Sequence, residues 1–119
     1  VKFLTDPFYE EVMAEAQDAA SKAAEEWLEQ NSNGESYEDV LLGNTGVAYI
    51  TFTDSRKNIP KYFSRKDKAH GYKPSKTLPL IYEHIDRKEV GCRLAAVNAA
   101  LTVFKKFSLD DGMSIKIVE

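Results

Sequence analysis

An α+β fold is what this 119-residue sequence predicts, and three observations predict it. A long amphipathic stretch opens the chain, a run rich in β-branched and aromatic residues follows near position 50, and a second helical repeat runs directly into alternating apolar residues at the C-terminal end. Taken in order, the elements read α-β-(short α)-β-α-β. The simplest packing is a small three-stranded sheet with the two long helices on one face. The length fits a single domain over residues 1–119, and such a domain buries roughly two-thirds of its unfolded surface without metal or disulfide staples.

The first helix begins at Asp6-Pro7, an N-cap residue followed by proline at the first helical position. Glu10 and Glu11 then fall in the first turn, where the helix dipole favours negative charge. Phe8, Val12, Ala16, Ala20, Ala23 and Trp27 follow the spacing of one helical face, and its alanines let the helix approach a partner closely. The stretch from Asn31 to Gly34 ends it. Residues 35–45 read as loop, with a short turn at 37–42, and Gly43-Asn44-Thr45-Gly46 has turn chemistry. Residues 47–53 form the best strand of the chain, with Ala48, Ile50 and Phe52 as its more buried face.

Asn58-Ile59-Pro60 offers a start for a short helix through Arg65, with Tyr62 and Phe63 as inward anchors. A loop at 66–76 follows. Residues 78–85 read as a second strand, and Pro79 places it at a sheet edge because proline cannot donate to the ladder. Asp86-Arg87-Lys88-Glu89 has the form of a capping box, an N-cap carboxylate with glutamate three residues later. Val90, Leu94, Val97, Leu101 and Phe104 recur at 4-3-4-3 as the buried stripe of a helix running to about Phe107. Asp110-Asp111-Gly112 turns the chain, and Met113, Ile115 and Ile117 alternate with Ser114 and Lys116 as a third strand. The helix after Asp86 would carry a right-handed crossover if strands two and three ran parallel in one sheet.

Charge divides the chain sharply. Residues 1–40 carry two lysines against eleven acids, a net −9, while residues 41–119 carry a net +6. The positive charge concentrates in residues 53–76, where eight cations face only Asp54 and Asp67. Those cations are Arg56, Lys57, Lys61, Arg65, Lys66, Lys68, Lys73 and Lys76, interleaved with Tyr62, Phe63, His70 and Tyr72. Basic side chains next to aromatic rings suit phosphate contact and base stacking. The candidate contact set for an anionic ligand or partner is therefore Arg56, Lys57, Lys61, Tyr62, Arg65, Lys66, Lys68, Tyr72, Lys73 and Lys76. The same residues equally describe a solvated lysine-rich loop with Tyr62 and Phe63 turned inward. Acids along the first helix (Glu10, Glu11, Glu15, Asp18, Glu25, Glu26, Glu29) read as its wet face, as a mimic of a phosphate row, or as the mate of the basic segment in a second copy.

Catalytic patterns find little support. The chain has two histidines, His70 and His84, and one cysteine, Cys92, on a helix. That leaves no His-rich metal set and no Cys–His pair. The glycines at 43 and 46 precede a strand instead of joining a strand to a helix, so they do not form a phosphate loop of the usual kind. Asp110/Asp111 and Asp86/Glu89 already serve as turn and cap. The expectation is a protein that is not an enzyme and uses no cofactor. Cys92 alone permits no intrachain disulfide and reads as a small buried apolar residue in a reducing cytosol. No leader segment and no apolar run of membrane-spanning length is visible, so a cytoplasmic protein without membrane partners is expected.

Gly46-Val47-Ala48-Tyr49-Ile50, then Lys61-Tyr62-Phe63 with trailing basic residues, then Gly71-Tyr72 and Asp86-Arg87-Lys88-Glu89 before an alanine-bearing helix, together resemble a group of small bacteriophage and prophage accessory proteins that have no assigned activity. The resemblance covers about residues 46–107. The chain departs from the group at Lys73-Pro74-Ser75, where a glycine pair is usual, and in its C-terminal strand, which lacks the group's polar ending. The resemblance implies a viral accessory protein made in the host bacterial cytosol that binds a host component, with counter-defence as its most specific form. A nucleic-acid-binding module and a self-associating structural or assembly protein are the alternatives, so a host protein, a nucleic acid or nucleotide, or a second copy are the expected partners.

Overall fold

The first helix, α1 (Asp6–Ser32), buries Tyr9, Val12, Ala16, Ala20, Ala24 and Leu28. The computed structural model describes residues 6–52 and 87–119; the expected short helix at 58–65, the loop at 66–76 and the strand at 78–85 lie outside the described residues. The buried row of α1 differs from the expected one. Phe8, Ala23 and Trp27 are half-buried at its flanks, while Tyr9, Ala24 and Leu28 take the centre. The reason is steric: two helices meet most closely along the line of smallest side chains, and the 16-20-24 alanine row defines that line. The helix stops where expected. Asn33 and Gly34 adopt left-handed backbone at φ 53° and 82°, and the Glu35 N–H donates to the Ser32 carbonyl at 3.0 Å.

Strand β1 (Val47–Phe52) alternates as anticipated, with Ala48, Ile50 and Phe52 all buried. Helix α2 (Val90–Lys106) follows, and strand β2 (Met113–Val118) closes the described chain. The two strands pair antiparallel, Val47 opposite Val118 through Phe52 opposite Met113. Ala48/Ile117, Ile50/Ile115 and Phe52/Met113 therefore share the core face. The α+β class stands, and the described sheet has two antiparallel strands.

Helix α2 buries Cys92, Ala96, Val97, Ala100, Val103 and Phe104, whereas Val90, Leu94 and Leu101 of the expected stripe are half-buried. A helix with neighbours on two sides needs two buried stripes, and a single 4-3-4-3 pattern cannot describe both. Among the described elements, α2 touches α1 and both strands, whereas α1 touches α2 alone, so direct packing on these strands belongs to α2 only. The helices run antiparallel: the Cys92 Sγ lies 3.7 Å from the Ala24 carbonyl, and the Phe8 and Phe107 rings meet edge to face at 5.8 Å. Gly91 sits under the Trp27 indole; a Cβ there would fall 2.6 Å from the Trp27 Cζ2. The helix ends in Lys105 and Lys106, favourably placed for its dipole, and Leu109 N–H returns to the Phe104 carbonyl at 2.8 Å. Asp110 and Gly112 make the expected turn, with Met113 N–H donating to the Asp110 carbonyl at 3.0 Å.

Candidate functional site

The ten residues of the candidate contact set, Arg56, Lys57, Lys61, Tyr62, Arg65, Lys66, Lys68, Tyr72, Lys73 and Lys76, lie outside the described residues, as do His70 and His84. The acidic half of the charge division is described. Glu10, Glu11, Asp18, Glu25, Glu26 and Glu29 are exposed along α1, opposite its alanine row. Among the described residues, one ion pair involves an α1 carboxylate: Glu15 with Lys106 of α2, at 2.9 Å. An exposed pair of this kind contributes less than about 1 kcal/mol. The rest of that face presents its charge to solvent without a cation from the described residues.

Among the described residues the densest polar construction lies just before α2. The capping box expected at residues 86–89 does not form in that register. Helix α2 starts at Val90, and Glu89 stands at the N-cap position with extended backbone and no side-chain cap bond. Its carboxylate is fully buried and is used elsewhere. The Glu89 Oε2 accepts the Leu42 N–H at 3.1 Å and a bond from the Arg87 Nη2, while the Arg87 Nε donates to Oε1 at 3.2 Å. The physical reason is that residues 88–90 are drawn into a short antiparallel bridge. Gly46 N–H donates to the Lys88 carbonyl at 3.1 Å and Val90 N–H to the Asn44 carbonyl at 2.9 Å, with Thr45 opposite Glu89. The segment read from sequence as turn at 43–46 is thus one half of that bridge. In extended backbone, residues two apart point the same way, so Arg87 and Glu89 meet directly.

Arg87 does more than neutralise Glu89. Its Nη1 donates to the Tyr37 carbonyl at 2.7 Å and its Nη2 to the Val40 carbonyl at 2.8 Å, and its guanidinium lies 5.6 Å from the Tyr37 ring centroid. Arg93 adds a second clip, donating to the Arg87 carbonyl at 3.0 Å and to the Gly46 carbonyl at 2.7 Å. Two arginines and one glutamate therefore fasten residues 37–46 to the start of α2. Gly46 is needed there, because a Cβ would fall 2.7 Å from the Val118 carbonyl oxygen and 3.0 Å from the Val90 Cβ.

Burial pushes the Glu89 carboxyl up, but the bonds from Arg87 and the Leu42 N–H outweigh it and hold the pKa below the ordinary value. A carboxylate kept ionised and occupied by donors suits a clamp, not a proton donor. A shallow open cleft of about 260 Å³ lies over this clamp, lined by Glu38, Asp39, Val40, Leu41, Arg87, Lys88 and Glu89. The sequence signal for the clamp was the Arg-x-Glu spacing, legible only once the backbone there is known to be extended.

Cys92 is fully buried, and desolvation, with Glu89 nearby, raises its thiol to about 11. It is an inert packing residue, in keeping with its sequence context. Among the described residues no His/Cys/Asp/Glu cluster has the form of a metal site, and no described helix is long and apolar enough to cross a membrane. No protein-family model, no curated protein and no solved structure matches this chain.

Proposed function

We propose that this chain is a non-enzymatic accessory protein of bacteriophage type that acts in the bacterial cytosol by binding a host component. Its most specific form is counter-defence, the blocking or sequestering of a host immune factor. The observation that carries the reading is the division of charge: a net +6 over residues 53–76 with aromatic residues interleaved, against a net −9 over residues 1–40. The described acids of α1 support it, since their charge faces solvent and, among the described residues, only Glu15 is matched by a cation. Two segments of opposite sign in one small chain favour recognition of a charged macromolecule, with steering and register supplied by electrostatics.

The test is capture from infected-host lysate by the wild-type chain and by a Lys61→Glu/Arg65→Glu/Lys66→Glu variant. The reading expects one partner to be lost on reversal and retained when Lys88 and Lys116, outside the segment, are reversed instead. Unchanged capture by the triple variant rejects the basic segment as the contact.

The interleaving of Tyr62, Phe63 and Tyr72 with the cations favours a second reading, a single-stranded nucleic-acid surface in which rings stack on bases. Polarisation assays against single- and double-stranded DNA and RNA over a salt series separate the two. Phosphate contacts make affinity fall steeply with salt, and an absent or flat response removes this reading.

A further inference from the structure

Among the described residues the outer edge of β2 is open and self-complementary, and we propose that it pairs with the same strand of a second copy. Two observations orient the β2 backbone. The Thr51 hydroxyl lies 3.4 Å from the Ser114 carbonyl oxygen, and the Val118 carbonyl oxygen is what a Cβ on Gly46 would strike. Both carbonyls point toward β1. Because backbone groups alternate direction along a strand, Lys116 points the same way, and the N–H and C=O groups of Ile115 and Ile117 point to the opposite edge. Among the described residues nothing pairs with that edge, and Ile117 and Val118 are each 47% exposed. An open edge carrying apolar side chains is a template for another strand.

The edge selects its own copy through register. Antiparallel pairing about a twofold axis through Ile115 sets Ile115 against Ile115, Met113 against Ile117, and Ser114 against Lys116. The core faces of both sheets then continue across the junction, and each Lys116 meets a serine hydroxyl. Sliding the axis to residue 116 sets Lys116 against Lys116, which like-charge repulsion disfavours. The twofold arrangement consumes both edges and closes at the dimer. The interface is a single six-residue strand, well below the size of a permanent dimer interface, so the association is weak and concentration-dependent.

Sedimentation equilibrium from micromolar to near-millimolar protein is the test, run at low and at high salt. The proposal expects a reversible monomer–dimer equilibrium that high salt leaves intact; a dimer dissolved by salt points to mating of the acidic and basic segments instead. The Ile117→Pro variant removes an outward N–H that β1 does not use, a substitution edge strands tolerate. It is expected to stay folded by circular dichroism and to sediment as a monomer. Independently, a Ser114→Cys/Lys116→Cys double variant is expected to form an intermolecular disulfide under mild oxidation, while Lys116→Cys alone does not. A monomer at every concentration, with no cross-link in the double variant, overturns the proposal, and efficient cross-linking of Lys116→Cys alone overturns the register.

Discussion

Replacing Glu89 by glutamine tests whether the Arg87–Glu89 clamp holds residues 37–46 in place. Glutamine keeps the shape and an acceptor for the Leu42 N–H, but it sets an amide against the Arg87 guanidinium and removes the charge that Arg87 was buried to meet. Breaking a buried ion pair by removing one partner costs about 3–5 kcal/mol. Here the lower end applies, because the Arg87 side chain is 16% exposed and keeps the Tyr37 and Val40 carbonyls as acceptors. A loss of about 3 kcal/mol in a domain of this size lowers Tm by roughly 10–12 °C. Its pH dependence is a second signature. The Glu89 pKa is depressed on folding, so its contribution is complete above the unfolded carboxyl value of 4.5 and disappears as pH falls through the lower folded value. Thermal melts of both proteins at neutral and acid pH, followed by circular dichroism, are the assay. The gap between them is expected to be full at pH 7 and to close in acid. Equal stability at pH 7, or a gap unchanged by acid, refutes the clamp.

Two further substitutions or probes report on the helix interface. Gly91→Ala gains about 1 kcal/mol of helix propensity but drives a Cβ to within 3.0 Å of three Trp27 ring atoms, an overpacking cost of about 1–3 kcal/mol. A net destabilisation near 1 kcal/mol with a shift in Trp27 emission is expected in denaturant titrations; a gain in stability shows that the indole yields freely. Cys92, buried and raised to about 11, is expected to resist thiol reagents at pH 8 and to react at a rate that rises with denaturant as the fold opens. Labelling at the rate of a free thiol in native buffer contradicts its place between α1 and α2.

Local signals in this chain were legible where one physical rule governs. The alternation of Ala48, Ile50 and Phe52 declares the inner face of β1, and Asn33-Gly34 declares the end of α1 because left-handed backbone favours those residues. The helical stripes were less legible. Periodicity marks an amphipathic face but not its centre, and in both helices the centre moved to the line on which the small residues let the helices approach. Phe8 and Trp27 yielded to Tyr9 and Leu28, which stand in line with the alanine row of α1, and Leu94 and Leu101 yielded to Cys92, Ala96 and Ala100 in α2. The clamp before α2 was not legible at all. Asp86 to Glu89 satisfies a helix-cap pattern by composition, and only the bridge to residues 44–46 reveals that the backbone there is extended.

By itself the sequence determined the α+β class, the limits of both long helices to within a few residues, the inward face of β1 and the separation of acidic from basic charge. All of these rest on neighbours a few positions apart, whose spacing is fixed by backbone geometry alone. Only the tertiary structure decided which helical stripe forms the interface, how β1 and β2 pair, and that Glu89 is a buried anchor for a loop 47 residues away in the chain. Those outcomes depend on close approach and desolvation between segments remote in sequence, quantities that no local pattern of residues encodes.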